Sequence, residues 1–168
     1  MQDGFSAARV EEEGGVTADG PRVITKLPSD ELFVANADSL VAFPFTVGQT
    51  RITAAPRRVA SLPAGYNHHW TKSLVLSPDG RSLYVAAGSN SNVGENGMAM
   101  EQGRAAIWRF DPQSGAGHVF ASGLRNPVGL DFNPSSGALW TVVNERDEIG
   151  SDLVPDYMTS VRQGAFYG

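Results

Sequence analysis

The sequence predicts an all-β fold assembled from propeller blades, on three observations. Its 168 residues include 19 glycines and 10 prolines, a frequency of turn formers that suits many short strands better than long helices. Apolar runs are of strand length and are closed at both ends by turn residues. A unit also recurs, made of a proline turn, a short gap, then leucine followed by aromatic and β-branched residues. It appears as Leu27-Pro28-Ser29-Asp30 before Leu32-Phe33-Val34, as Ser77-Pro78-Asp79-Gly80 before Leu83-Tyr84-Val85, and as Asn133-Pro134-Ser135-Ser136-Gly137 before Leu139-Trp140-Thr141-Val142. Repetition on this scale, with several strands per unit, is the mark of blades of roughly 40 to 50 residues. About three blades are expected.

Residues 1–21 are rich in glycine, alanine and glutamate, broken by Gly14-Gly15 and Gly20-Pro21, and are expected to form a poorly ordered lead-in. Residues 22–168 form the expected partial propeller domain. Within it, strands are predicted at Leu40-Val41-Ala42-Phe43, Leu74-Val75-Leu76, Ala106-Ile107-Trp108-Arg109-Phe110, Val119-Phe120-Ala121 and Val128-Gly129-Leu130-Asp131-Phe132. Asp111-Pro112-Gln113-Ser114-Gly115 is a hairpin turn. The segment Glu95 to Gly103 reads as a short helix or an insertion in a long loop. Three blades do not close a ring, which leaves sheet faces and edges bare, so the chain is expected to be part of a larger propeller.

A net charge of −5 argues against a nucleic-acid partner, because phosphate binding needs a basic surface that releases counterions. No apolar stretch approaches the ~20 residues of a membrane span. Asp3, Glu11, Glu12 and Glu13 stand where a signal peptide would need a basic start and an apolar centre. With no cysteine, thiol chemistry and disulfides are excluded.

Three loops at strand ends carry groups suited to chemistry. His68-His69-Trp70 enters the strand at Leu74, and an imidazole near neutral pH can take a proton from a hydroxyl. Adjacent histidines in an extended segment point to opposite faces, so only one is expected to serve a site; both also suit a turn, bonded to backbone. Gly88-Ser89-Asn90-Ser91-Asn92 follows Ala87 and can orient a base or bind ligand hydroxyls, or act simply as a polar turn. Arg125-Asn126 pairs a guanidinium with a carboxamide, fit to hold a carbonyl-rich anion or to form a surface ion pair. Asn144-Glu145-Arg146-Asp147-Glu148, followed by Asp152 and Asp156, gathers oxygens that a hard cation prefers. Its spacing matches no EF-hand loop, and a solvated acidic loop is the alternative.

Together with Asn67-His68-His69-Trp70-Thr71-Lys72, Gly88 to Gly97, Gly103-Arg104-Ala105-Ala106-Ile107-Trp108, Gly123-Leu124-Arg125-Asn126-Pro127 and Trp140 to Asp147, the chain from about Leu32 to Gly168 resembles the soluble quinoprotein glucose/sorbosone dehydrogenases, in their sorbosone dehydrogenase branch. The resemblance implies a six-bladed β-propeller that binds pyrroloquinoline quinone and calcium on its axis. It also implies oxidation of an aldose or sugar aldehyde, with electrons passed on to an external acceptor. On that resemblance His69 is the general base, with His68 beside it at the cofactor. Arg125 and Asn126 contact the quinone and the substrate oxygen, and calcium lies at Asp147 and Glu148, through backbone carbonyls. Ser89 stands where the glucose dehydrogenases place an aspartate that orients the histidine. The resemblance implies a periplasmic or secreted location. A half ring by itself is not expected to enclose the cofactor.

Two readings of other classes compete. One is a propeller that binds a carbohydrate or a protein without chemistry. The other is a metal-dependent propeller lactonase, which needs inward carboxylates around an axial metal.

Overall fold

The computed structural model describes residues 23–26, 30–65 and 68–168. The expected lead-in, most of the first proline turn, and Asn67 of the histidine motif lie outside them. The described chain is all-β, apart from one 3-10 turn at Met98–Glu101. Strands β1 (Val23–Lys26), β2 (Glu31–Ala35), β3 (Ser39–Pro44) and β4 (Arg57–Ser61) form a first antiparallel sheet in that order. A second contains β5 (Lys72–Leu76), β6 (Leu83–Ala87), β7 (Ala106–Phe110) and β8 (Gly117–Ser122). A third contains β9 (Asn126–Phe132), β10 (Leu139–Asn144) and β11 (Tyr157–Val161). Each sheet is a blade. The proline turns at Pro78 and Pro134 join the first and second strands of their blades, β5 to β6 and β9 to β10, so the repeat seen in the sequence is a repeat of structure.

Strand periodicity explains how the blades stack. In β6 all five residues are buried, because both faces of its sheet are covered. Leu83 and Val85 pack with Phe33, Leu40, Leu74 and Phe110 toward the first blade. Their neighbours Tyr84 and Ala86 pack with Ile107, Phe120, Leu124, Leu139 and Val143 toward the third. Each large aliphatic side chain enclosed this way contributes roughly 1.5–3 kcal/mol. The second sheet is therefore the middle of a three-layer stack. The opposite face of the first blade, with Leu32, Val34 and Phe43, is covered by Phe45 and Ile52 from the loop after β3. On the free face of the third, Val142 and Met158 are exposed.

The inner strands β1, β5 and β9 pack side by side. Their ends, and the loops beside them, therefore meet at one place. The last residues fold back onto the second blade: Ser122 N–H donates to Ala165 O at 3.1 Å, and Tyr167 N–H to Ser122 O at 3.0 Å.

Lys72, at the start of β5, is 1% exposed, and its ammonium donates to Trp70 O at 3.2 Å. Burial, reinforced by the nearby charge of Arg104 and opposed by Asp38, pushes its pKa down to about 8. The unfolded chain holds this proton up to the ordinary lysine value. Between about pH 8 and that value it therefore binds more protons than the folded chain, and stability rises with pH by about 3 kcal/mol. Lys72→Met, which keeps the volume and removes the buried charge, is expected to be at least as stable at pH 7 and up to about 3 kcal/mol more so. It should also lose the alkaline rise. Urea unfolding at pH 7 and pH 10 checks both, and a large loss at pH 7 would contradict the account.

Candidate functional site

Three loops are tied together by backbone before any side chain is considered. His68 N–H donates to Asn90 O at 3.1 Å and His69 N–H to Ser89 O at 3.3 Å, while Ser89 N–H donates to Arg125 O at 2.7 Å. These bonds fasten the entry to β5, the exit from β6 and the entry to β9 to one another. Gly88 lies at the junction. A Cβ placed there would fall 2.5 Å from Asn126 Oδ1 and 2.5 Å from His69 Cβ, so both side chains pack against bare backbone. Only glycine allows that approach.

The histidine is held in one tautomer. His69 Nδ1 lies 2.9 Å from Ser89 Oγ and 3.1 Å from Ser89 O. The carbonyl can only accept. The hydroxyl donates its own proton to Ser91 O at 2.6 Å, so toward the ring it also accepts. Nδ1 therefore carries the proton, and Nε2 presents a lone pair. Burial holds the imidazole pKa below its ordinary value; Arg125 and His68 add to this, while the Ser89 bond and Asp147 oppose it. The ring is neutral at pH 7. His68 meets His69 edge to face, with centroids 4.6 Å apart. The expected opposite-face arrangement fails because these residues occupy a turn and not an extended strand.

Asn126, the first residue of β9, has a buried Oδ1 with no hydrogen-bond partner. A buried acceptor left open is costly in a folded protein and marks a place where a ligand donor can bind. Arg125 is the opposite case. Its Nε donates to Asn92 O at 2.9 Å, and Nη2 to Asn92 Oδ1 at 2.5 Å and Asp147 Oδ2 at 3.2 Å. Nη1 donates to Asn144 O at 3.1 Å and also to Glu145 O. Five oxygens thus meet the five guanidinium protons. Asp147 N–H binds Asn92 Oδ1 at 3.2 Å, and Asp156 accepts from Glu145 N–H at 2.9 Å, which closes the cradle.

A family model described as TrAA12-like matches residues 23–161. The chain belongs to the TrAA12-like family. It is 23% identical over 129 residues to the pyrroloquinoline quinone-dependent sugar dehydrogenase of Hypocrea jecorina (strain QM6a), an alignment that covers 70% of this chain and 30% of that protein. Its backbone is similar to that of the Trichoderma reesei Carbohydrate-Active Enzymes Family AA12 protein, with a TM-score of 0.72, 21% identity, and coverage of 96% of this chain and 49% of that one. The holo pyranose dehydrogenase PQQ domain of Coprinopsis cinerea matches at 0.64 and 20% identity, over 92% and 42% of the two chains. For the PQQ-bound aldose sugar dehydrogenase of Streptomyces coelicolor the values are 0.62 and 18%, over 92% and 49%. The chain therefore spans less than half the length of each of these proteins, and its three sheets are blades of their propeller.

In this TrAA12-like chain, His68, His69, Arg125 and Asn126 come together where the inner strands meet. Asp147 joins them through Arg125, whereas the Glu148 side chain has no such link and its residue adopts a left-handed φ of 68°. Among the described residues no three imidazole or carboxylate side chains converge as a metal site. The oxygens of the acidic loop that face inward serve a guanidinium. Glu101 carries no motif signal in the sequence, yet its carboxylate holds the loop behind His69: Asn90 N–H donates to Oε2 at 2.7 Å and Ser91 Oγ to Oε1 at 2.6 Å. Glu95 similarly accepts from the N–H groups of Asn92 and Val93, at 3.1 and 2.7 Å, bonds that hold its pKa down at about 2.

Proposed function

We infer that this chain supplies one side of the site of a pyrroloquinoline-quinone-dependent dehydrogenase acting on an aldose or a sugar aldehyde of the sorbosone kind, with His69 as general base. The observation that carries this reading is the fixed tautomer of His69, whose Nε2 lone pair is available beside the open Asn126 acceptor and the charge of Arg125. The charge of Arg125 suits an anionic cofactor, and the open Asn126 acceptor suits an N–H or O–H donor on the bound molecule. Asn126, Arg125 and His68 would hold it, Asn126 by hydrogen bonding and Arg125 through its field. When bound, the quinone supplies a two-electron sink for the hydride leaving the substrate carbon. His69 Nε2 takes the proton from the hydroxyl on that carbon, of a cyclic sugar or of an aldehyde hydrate. Ser89 keeps the ring oriented as the proton arrives, accepting from Nδ1–H as a neutral counterpart of a carboxylate partner. The guanidinium favours negative charge developing at this mouth.

Calcium at Asp147 and Glu148 would have to take carbonyls of a loop whose Asn144 and Glu145 oxygens accept from Arg125. We assign the positive charge at this corner to the guanidinium. Activity in which an external acceptor reoxidises the quinone, and a location outside the cytoplasm, belong to the same proposal. A lactonase site would need convergent carboxylates, and among the described residues no three imidazole or carboxylate side chains converge.

Titrating a closed propeller that carries these blades with pyrroloquinoline quinone should give a saturable change in the bound cofactor's absorbance, and dye reduction should then depend on aldose or sorbosone. Asn126→Ala should weaken quinone binding roughly tenfold, the worth of about one hydrogen bond. Absence of any quinone binding would favour the non-catalytic propeller.

A further inference from the structure

We propose that Glu101 is the positioning residue for His69, acting through Asn90, Ser91 and Ser89 to select the tautomer that leaves Nε2 open. The inference deepens the proposed function and rests on His69 being its base.

The chain of contacts runs in one direction. His69 Nδ1–H has two acceptors, Ser89 O and Ser89 Oγ, both in the loop that Glu101 holds, and Oγ accepts only while its own proton is engaged elsewhere. That proton goes to Ser91 O at 2.6 Å. Ser91 can receive it only if its own backbone is held in place. Its hydroxyl donates to Glu101 Oε1 at 2.6 Å and accepts from Gly94 N–H at 2.9 Å, while the preceding amide, Asn90 N–H, donates to Glu101 Oε2 at 2.7 Å. Ser89, Asn90 and Ser91 are 7%, 1% and 1% exposed, so water offers no easy replacement for a lost partner. One carboxylate thus accepts from two donors of a buried loop, one on each oxygen. It does so from the last residue of the Met98–Glu101 turn, whose carbonyl is also fixed by Arg104 N–H at 2.9 Å.

A carboxamide cannot serve both donors. Glutamine at this position has one accepting oxygen; with that oxygen on Asn90 N–H, its NH2 would donate to Ser91 Oγ, and the Ser91 proton would lose its acceptor and turn away. Glu101 differs from a carboxylate bonded directly to the imidazole. Its carboxylate bonds to Asn90 and Ser91 and not to the ring, and it controls a proton position through two serines.

The test is the nitrogen spectrum of 15N-histidine-labelled protein, read together with kinetics. In the wild type, His69 should show a protonated Nδ1 and an unprotonated Nε2. Glu101→Gln should give a mixture in which Nε2 is partly protonated, and kcat should fall roughly 10- to 100-fold with KM little changed. Ser91→Ala, which removes the bridging hydroxyl and leaves Glu101 intact, should shift the tautomer in the same direction, and it decides the matter if Glu101→Gln does not fold. Folded variants in which His69 stays wholly in the Nδ1–H form would overturn the role of Glu101. A wild type already protonated on Nε2 would instead overturn the reading of His69 as base, and the two failures are told apart by which protein shows the change.

Discussion

Gly88→Ala is expected to lower stability by about 1–3 kcal/mol and to abolish most activity, although the substitution adds a single methyl group. The new carbon would lie 2.5 Å from Asn126 Oδ1 and 2.5 Å from His69 Cβ. His69 Cβ cannot give way cheaply, and the Asn126 carboxamide can do so only by turning out of the site. His69 Cβ moves only with a backbone that is bonded to Ser89 O, and the Asn126 carboxamide sits on the first residue of β9, in register with Asn144. Relief of the clash must part the loops or turn the carboxamide away, and both outcomes damage the site. Thermal unfolding should shift down by roughly 2–10 °C for a chain of this size, and quinone binding should fall together with turnover. An alanine variant with unchanged melting temperature and unchanged quinone affinity would show that the packing at this junction is looser than described.

The second large effect concerns His69. His69→Gln should reduce kcat by about 10²- to 10⁴-fold, the usual contribution of a positioned base, while quinone affinity changes by no more than a few-fold. In the wild type, burial, helped by the charge of Arg125, keeps the imidazole pKa below the ordinary histidine value. A base works when deprotonated, so the rate should stay level as pH falls through that ordinary value and decline only further into acid. The stability consequence has a definite sign as well. The unfolded chain takes up this proton first, so between the unfolded and folded pKa values it binds more protons, and stability falls as pH drops through that window. Both acid limbs should vanish in His69→Gln. A wild-type rate that already halves at the ordinary histidine pKa would contradict the burial argument.

The blade strands were legible where burial on both faces imposes continuous apolar runs, as in Leu83-Tyr84-Val85-Ala86-Ala87, and where a proline turn precedes them. Three strands were not: β1, β4 and β11. β4 presents Arg57 and Arg58 outward, and β11 alternates Tyr157 and Thr159 with an exposed Met158. Both lie at the edges of their sheets, with one side unpaired and little apolar content to betray them. The site divides in the same way. Histidines, a glycine-polar loop and an arginine-asparagine pair at strand ends announced themselves by residue type. The partners that fix them did not, because they depend on the path of the chain. Arg125 reaches carbonyls 19 and 20 residues ahead of it and Asn92 33 residues behind, and Glu101 reaches back 10 and 11 residues to the loop under His69. The side-by-side contact of His68 and His69 was equally hidden, since periodicity speaks of strands and these residues turn.

A guanidinium whose every proton is already engaged by the protein is a fixed background field. It attracts negative charge without regard to the shape of the molecule that brings it, and it has no free hand with which to tell one hydroxyl pattern from another. Discrimination among visitors to this mouth therefore falls to the groups with unfilled valence, the Asn126 oxygen and the outer nitrogen of His69, so altered substrate preference should be sought by varying what surrounds those two atoms and not the arginine.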